Sequence, residues 1–413
     1  MNKLKGIIFS LRDVVVIDGD NDTAKLDEVF KLLKFVVSKG VTPVLISNSR
    51  WTNNKKPIAE IISKSIGYQI KHFIGGENNM PYKQKAEASK YIKKVMSWGE
   101  NEVLYVGSSK EDMQAARNGK LMFLNAKWHA DNSPYGFEFE SAKDIARFID
   151  CCCIGVNDWF WTHESEGLRV YSIAPLAEFS RAYPNGARYS SDAKAATKRD
   201  MGNLPFWGRL MAAKLYFSGI AEEANYLAPY PGHKTISKKR LLTKSLKIIG
   251  GSMRANYLED LITRHKDATK SSASRNQGLD PGHANQLSTI CLRKDPMKTG
   301  ASQARYKNPP LKIGKTVLIV DDICTAGYSF EAARQFINST GANAIFVSWL
   351  KTPGANDYQK IKDLDPKIKP YEAYSSTNIS KMTISNNSNV TNEFASDELA
   401  KAFESYKEWE WPL

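Results

Sequence analysis

The stretch Val-Leu-Ile-Val-Asp-Asp-Ile-Cys-Thr-Ala-Gly-Tyr-Ser, residues 317–329, decides the fold of the second half of this chain. Its four leading apolar residues predict a buried strand, and the apolar periodicity that follows predicts a helix over residues 330–339. Two aspartates and a run of small residues lie between them. Such a turn lets backbone N–H groups at a helix start approach an anion. The stretch therefore predicts a phosphate-binding loop.

The side chains of this stretch have the chemistry needed to hold a ribose 5-phosphate. Asp321 and Asp322 can accept hydrogen bonds from vicinal sugar hydroxyls, and the hydroxyls of Thr325 and Ser329 can donate to a phosphate. The alternative is that two aspartates end a core strand before an ordinary turn. The acidic pair, the small residues and the helix start occur together, and this combination favours the ligand site.

The same stretch resembles the signature of the type I phosphoribosyltransferases, with Cys324 in place of the usual aliphatic residue. The resemblance implies a domain that binds phosphoribosyl pyrophosphate (PRPP) with Mg²⁺ and displaces pyrophosphate from the ribose C1 in favour of an acceptor. It gives the catalytic role to Asp321 and Asp322 and leaves the acceptor undefined. Contacts to the 5-phosphate are implied for Thr325, Ala326, Gly327, Tyr328 and Ser329.

Basic residues outside the loop are candidates for contacting the pyrophosphate. Residues 230–234, Tyr-Pro-Gly-His-Lys, resemble the loop on the pyrophosphate side in this family, with a solvated turn as an equal alternative. Residues 290–305 resemble the basic flexible loop of the competence-associated (ComF-like) branch, although basic loops are more often only solvated. The candidates are His233, Lys234, Arg293, Lys294, Lys298 and Arg305.

The first half of the chain has its own alternation of strands and helices. Strands are predicted at residues 6–9, 42–46, 103–106 and 121–124, with helices at residues 26–38 and 112–118. This alternation predicts a parallel sheet flanked by helices. The fold class of the chain is therefore predicted as α/β, with two Rossmann-like parallel sheets.

Residues 4–150 resemble the haloacid dehalogenase (HAD) superfamily, but the catalytic positions are altered. Ser10 and Arg12 stand where that family has a nucleophilic aspartate and an acid–base aspartate. Serine and arginine cannot supply both roles, and arginine also places a cation where Mg²⁺ would sit.

The other motifs of the superfamily are partly retained. Ser47 matches the hydroxyl of the second motif, and Asp112 matches one carboxylate of the fourth, in which Ser108 replaces the other. Met80 stands where the third motif has its lysine, with Lys83 and Lys85 nearby. We expect no phosphatase activity from this domain, which would bind a phosphorylated ligand without hydrolysis or serve as a scaffold.

The length of 413 residues exceeds that of a typical single hydrophobic core, so two domains are expected. A HAD-like domain is predicted at residues 1–150, a linker at 151–166 and a phosphoribosyltransferase-like domain at 167–372. A polar linker and C-terminal helix complete the chain at 373–413. Residues 167–219 are predicted to form a hood, and residues 375–392, rich in Ser, Thr and Asn, an exposed loop.

The composition of the chain limits which binding partners and which cellular location are expected. The net charge of +14 suits an anionic partner, either a nucleic acid or a phosphorylated small molecule, and the alternative is a solvated basic surface. No apolar stretch is long enough to cross a bilayer, and no secretion leader is visible. Five cysteines show neither a disulfide nor a metal-ligand pattern, which favours a cytoplasmic location. The oligomeric state is not predicted.

The sequence is compatible with two main functions. One is a PRPP-dependent phosphoribosyltransferase with an inactive HAD-like domain. The other is a non-catalytic regulator that senses PRPP or a nucleotide, with the basic surface contacting nucleic acid or another protein. A stress or phage-defence protein that acts on nucleotides is a third hypothesis, suggested only by the pairing of domains and the positive charge.

Overall fold

A computed structural model of the chain describes residues 3–16, 23–129, 136–155, 158–235, 240–269, 282–298, 304–354 and 357–412. In these residues each half of the chain builds one six-stranded β-sheet flanked by helices. The α/β fold class predicted from the sequence is confirmed. None of the helices in the described ranges is long and apolar enough to span a membrane.

The first sheet is parallel throughout, with strand order β5-β2-β1-β6-β7-β8. Its central strands are buried along their whole length, as expected when helices cover both faces of a parallel sheet. The strands of this half, including the separate antiparallel pair β3 and β4, are β1 (Gly6–Ser10), β2 (Thr42–Ser47), β3 (Thr52–Asn53), β4 (Lys56–Pro57), β5 (Lys71–Ile74), β6 (Val103–Gly107), β7 (Met122–Ala126) and β8 (Phe137–Phe139). The helices are α1 (Thr23–Ser38), α2 (Ile58–Ile66), α3 (Ala86–Met96), α4 (Lys110–Asn118) and α5 (Ala142–Phe148).

The second sheet has the order β12-β11-β15-β16-β10-β9, and only the edge pair β9 and β10 is antiparallel. Two hairpins, β13 with β14 and β17 with β18, lie outside it. The strands are β9 (Trp161–Ser165), β10 (Leu168–Pro175), β11 (Tyr226–Pro229), β12 (Asn256–Tyr257), β13 (Ile262–Arg264), β14 (Ile290–Leu292), β15 (Thr316–Cys324), β16 (Asn343–Lys351), β17 (Tyr358–Leu364) and β18 (Ile379–Ile384). The helices are α6 (Ala187–Arg199), α7 (Leu204–Phe217), α8 (Ile220–Glu223), α9 (Arg240–Met253), α10 (Gly282–Leu287), α11 (Tyr328–Asn338) and α12 (Ala395–Lys407).

Helix α7 packs against both sheets. All its residues from Phe206 onward are buried, so this part of the helix has no face exposed to water. Trp349 of β16 donates its indole N–H to the carbonyl of Trp207 at 2.9 Å, and the Tyr216 hydroxyl donates to the carbonyl of Val103 in β6 at 2.5 Å. Side chains of the two halves thus share one continuous hydrophobic core.

Three segments differ from the sequence-based predictions. The predicted linker contains a buried π-helical turn, Ile149–Ile154, and the edge strand β9. The predicted hood begins with β10, a strand paired with β16, and the predicted exposed loop contains β18, paired with β17. β10 forms by pairing with a segment distant along the chain, which local periodicity does not report, whereas β9 and β18 each pair with a neighbouring strand.

Candidate functional site

A cleft of about 540 Å³ lies where parallel strands of the second sheet end. Its walls come from residues that follow β11, from the end of β15 with the loop after it, and from Thr352 just beyond β16. Open α/β sheets bind ligands at the carboxyl ends of their strands, so this is the edge at which a ligand site is expected.

The acidic pair belongs to the strand itself. The sequence predicted that the strand ends at Val320, but β15 continues to Cys324 because Asp321, Ile323 and Cys324 pair with β16. The Asp321 side chain accepts the N–H of Asp322 at 2.8 Å, and both carboxylates line the cleft. The strand thus fixes the backbone that carries them.

Cys324 is part of the core of this strand. It is buried, and burial raises the pKa of its thiol to about 11 despite the nearby Lys351 ammonium. A neutral thiol is a small apolar group, so Cys324 replaces an aliphatic side chain without adding charge to the cleft.

The small-residue loop leads directly into α11. Gly327 caps this helix with φ +77, a left-handed conformation that favours glycine. All five predicted phosphate-loop residues line the cleft: Thr325, Ala326, Gly327, Tyr328 and Ser329. The predicted loop is therefore brought together at one place, at the N-terminus of an 11-residue helix whose first N–H groups lack intrahelical partners.

The hairpin of β17 and β18 supports this loop from behind. Gln359 donates its backbone N–H to the carbonyl of Ala326 at 2.9 Å, and the ring of Tyr358 lies against Gly327. Tyr358 also donates its hydroxyl to Glu331 of α11 at 2.9 Å. The sequence predicted part of this hairpin as an exposed loop, because its Ser, Thr and Asn residues are typical of loops.

Glu331 holds the hairpin and helix together. Its side chain is fully buried and pairs with Arg334 at 2.6 Å, while Ile361 of β17 donates a backbone N–H to it at 2.8 Å. A buried carboxylate with this many donors has its charge compensated. The start of α11 is thereby fixed relative to the cleft.

Arg264 is a cleft residue that sequence analysis did not single out. It is buried and donates to the Gly232 carbonyl, to Thr289 Oγ1 at 2.5 Å and to Gln286 Oε1 at 3.1 Å. Gln286 also accepts the hydroxyl of Tyr230 at 2.7 Å. Arg264 thereby shapes the turn after β11. It ends β13 outside any recognisable motif, so the sequence held no signal for it.

The predicted pyrophosphate residues do not gather in the cleft. His233 lines it, whereas the exposed Lys234 is not among the lining residues. Arg293 and Arg305 pair instead with Asp260, at 3.3 and 3.1 Å.

Two further predicted lysines lie against aromatic rings elsewhere. Lys294 lies over the ring of Tyr371 and Lys298 over that of Tyr306. The role predicted for Arg293, Lys294, Lys298 and Arg305 therefore lacks support from this arrangement. Two lysines of α6, Lys194 and Lys198, line the cleft in their place.

A second cavity of about 500 Å³ adjoins the cleft and shares Leu176 and Thr352 with it. Its lining is mainly apolar and includes Phe160, Trp161, Phe179 and Tyr183. The loop after β10, which belongs to the predicted hood, supplies several of these residues. This loop and α6 both lie within residues 167–219, the segment predicted as a hood.

The residues that the sequence matched to the HAD motifs, some retained and some altered, also meet, at the carboxyl ends of β1, β2 and β6. Ser10, Ser47, Ser108 and Asp112 are all buried there. The exception is Arg12, whose side chain is 63% exposed and lies near Asp13. The predicted cation at the metal position is therefore not supplied by Arg12.

Lys83 supplies the buried cation of this cluster. Its ammonium donates to Asp112 Oδ1 at 2.9 Å, and Tyr105 donates its hydroxyl to the same oxygen at 3.1 Å. The backbone N–H groups of Ser108 and Ser109 donate to Oδ2. Lys83, named in the sequence only as lying near the motif, is thus the lysine that contacts Asp112.

The pKa of Asp112 reflects these contacts. Burial disfavours the charged carboxylate, but the Lys83 ammonium and the hydrogen bonds outweigh burial and hold the pKa below its usual value. The charge of Asp112 is therefore already balanced by protein groups. Across the described ranges, no group of three or more His, Cys, Asp and Glu side chains is arranged to hold a metal ion.

No family model matches the chain, and no curated protein matches it. Solved structures similar to it include a HAD-superfamily hydrolase from Ehrlichia chaffeensis, with 14% identity and a TM-score of 0.27 over 36% of this chain and 97% of that one. Another is the D,D-heptose 1,7-bisphosphate phosphatase from B. bronchiseptica complexed with magnesium and phosphate, with 16% identity and a TM-score of 0.28 over 35% of this chain and 96% of that one.

A further similar structure, from Lactobacillus delbrueckii, has 18% identity and a TM-score of 0.25. The alignment covers 30% of this chain and about half, 52%, of that one. Each likeness thus extends over about a third of this chain. The TM-scores are too low for these likenesses to carry an argument about activity.

Proposed function

We propose that the cleft of the second sheet binds PRPP and that the chain transfers its phosphoribosyl group to an acceptor with release of pyrophosphate. One observation carries this proposal. The acidic pair of β15, the small-residue loop and the N-terminus of α11 line one cleft, together with the cations Lys194, Lys198 and Arg264.

Each part of the cleft has a defined task in the proposed reaction. The loop at residues 325–329 offers backbone N–H groups and hydroxyls to the 5-phosphate, and Asp321 and Asp322 accept hydrogen bonds from the ribose hydroxyls. Mg²⁺ arrives with PRPP and neutralises pyrophosphate charge. The C1–oxygen bond breaks with its electron pair leaving on pyrophosphate, the acceptor atom bonds to C1, and the proton that the acceptor loses passes to the released pyrophosphate or to water.

Positioning and charge neutralisation account for catalysis in this scheme. Arg264 and the support of the loop by the β17–β18 hairpin keep the binding groups in place before the ligand arrives. Groups held in this way stabilise developing charge without reorganising. The acceptor reaches C1 from the adjoining cavity lined by Phe160, Trp161 and Tyr183.

The altered cluster of the first sheet serves as a scaffold in this proposal. It has no carboxylate at Ser10 to attack phosphorus, and Asp112 is engaged by Lys83. We expect the protein to release no phosphate from a generic phosphomonoester in the presence of Mg²⁺. Steady hydrolysis by the wild-type protein that is lost in Asp112→Asn would contradict this assignment.

The transferase proposal is tested by calorimetry with PRPP and Mg²⁺ on the wild-type protein and on Asp321→Asn with Asp322→Asn. Hydrogen bonds to charged groups contribute about 1.5–3 kcal/mol each, so the double variant should bind PRPP at least ~100-fold more weakly. The matched control is Asp363→Asn with Asp365→Asn, two exposed aspartates outside the cleft. Equal affinity in the two double variants would refute the site.

A pyrophosphate-release assay on the same samples separates the two functions that bind PRPP. Release that depends on pooled bases or nucleotides supports transfer. Binding without release under any acceptor supports the non-catalytic sensor, and absence of binding contradicts both.

A further inference from the structure

We propose that Lys194 and Lys198 of α6 bind the pyrophosphate of PRPP, a role that sequence analysis gave to other residues. This inference rests on the proposed function. The two lysines are four residues apart and so project from the same face of the helix. Both line the cleft that contains Asp321 and Asp322.

The opposite face of α6 fixes where these lysines stand. Tyr189, Ala193 and Ala196 are fully buried, and the Tyr189 hydroxyl donates to the carbonyl of Pro175 at the end of β10 at 2.9 Å. A helix held by its buried face presents its polar face in one direction. The helix therefore directs its two lysines toward the cleft.

Both lysines have partners that they can exchange. The Lys198 ammonium lies 3.9 Å from Asp322 Oδ2, and the Lys194 ammonium lies 3.1 Å from Glu178 Oε2. The two lysine side chains are 47% and 42% exposed. Exposed ion pairs are weak, so each ammonium can turn to a phosphate oxygen at little cost.

The other cations do not compete for this role. Arg264 is held by the carbonyl of Gly232 and by two side chains, and its guanidinium already shapes the turn after β11. Arg293 and Arg305 pair with Asp260. Among the described residues that line the cleft, Lys194 and Lys198 are the two cations with exposed, movable side chains.

The position of Lys198 assigns the pair to the pyrophosphate end. The 5-phosphate has its own donors in the loop and at the start of α11. Lys198 instead contacts Asp322, the residue proposed to hold the ribose hydroxyls. A leaving pyrophosphate at C1 is close to those hydroxyls and carries the largest negative charge of the ligand, so cations at this point stabilise its departure.

The test compares three ligands on the full chain by calorimetry with Mg²⁺: PRPP, ribose 5-phosphate and inorganic pyrophosphate. Lys194→Gln and Lys198→Gln should each weaken PRPP binding about 10-fold, as expected for a lost charge-assisted hydrogen bond, and the double variant about 100-fold. Ribose 5-phosphate affinity should stay within about 2-fold, because that ligand lacks the pyrophosphate. Lys198→Arg should recover most of the loss.

Arg199→Gln is the matched control, because Arg199 is exposed on the same helix and does not line the cleft. Its PRPP affinity should equal that of the wild-type protein. An equal loss of both PRPP and ribose 5-phosphate binding in Lys198→Gln would overturn the inference and show that the lysine only positions Asp322. Unchanged PRPP affinity in the double variant would also overturn it. If the wild-type protein itself does not bind PRPP, the proposed function fails, and the inference about Lys194 and Lys198 fails with it.

Discussion

Replacing Lys83 by Met should destabilise the first sheet, because it removes the cation from a buried pair. Lys83 and Asp112 are 9% and 1% exposed, and their charged atoms lie 2.9 Å apart. Removing one partner of a buried pair costs about 3–5 kcal/mol, since the other charge stays buried and uncompensated. Tyr105, Ser108 and Ser109 still donate to Asp112, so the lower value, about 3 kcal/mol, is expected.

The stability lost in Lys83→Met should depend on pH in a defined direction. The folded-state pKa of Asp112 lies below its unfolded value, so its contribution to stability is present above about pH 4 and is lost as the pH falls through the folded pKa. Without Lys83, burial raises this pKa. The difference in unfolding free energy between wild type and variant should therefore be largest near pH 7 and shrink as the pH falls from the raised pKa of the variant to the lowered pKa of the wild type.

Hydrogen exchange is a suitable assay, because a chain with two sheets need not unfold in one step. Peptides covering β6 and α4 should exchange more than ~100-fold faster in Lys83→Met at pH 7, which corresponds to about 3 kcal/mol. Lys85→Met is the control, since Lys85 is exposed and makes no side-chain cap to α3. Equal exchange in the two variants would refute the argument that Lys83 balances the charge of Asp112.

Two further predictions concern Gly327 and His72. A Cβ on Gly327 would overlap the buried ring of Tyr358, so Gly327→Ala should lower the free energy of unfolding by several kcal/mol and remove most PRPP affinity. The control is Gly314→Ala, at φ +78 with open space around it, which should lose only the ~1–2 kcal/mol that the left-handed conformation costs. Equal shifts in melting temperature for the two variants would contradict the steric argument. Burial lowers the pKa of His72 to about 4, and the nearby Glu77 partly offsets this effect. The neutral imidazole therefore contributes stability above pH 6.5, and this contribution is lost as the pH falls toward 4. Hydrogen exchange should show that the first sheet loses about 2 kcal/mol of stability between pH 7 and pH 5, and His72→Gln should remove this pH dependence. A His72→Gln variant that keeps the pH dependence would show that another group titrates.

The proposed cleft and the altered cluster show how two similar sheet edges diverge. At the second sheet, Asp321 and Asp322 face a cavity that also contains movable cations. At the first sheet, Asp112 is enclosed and accepts five hydrogen bonds from protein groups, one of them from Lys83. The carboxyl ends of parallel strands thus support an open site in one half of the chain and a closed polar core in the other.

The sequence by itself determined the features that are local along the chain. The alternation of strands and helices, the phosphate loop at residues 325–329 and the acidic pair before it are contiguous, so their periodicity and chemistry could be recognised directly. The strand predicted at residues 42–46 is observed at Thr42–Ser47. Ser10, Ser47, Ser108 and Asp112 were singled out from short motifs in the sequence, and all four are buried.

Only the tertiary structure decided which distant residues complete these sites. Lys83 reaches Asp112 across 29 positions, and β10 joins β16 although some 170 residues separate them. Lys194, Lys198 and Arg264 belong to no local motif, while Arg293 and Arg305, which a local motif favoured, pair with Asp260. The physical reason is that burial and ion pairing depend on which surfaces meet in space, and this is decided by long-range packing of the whole chain.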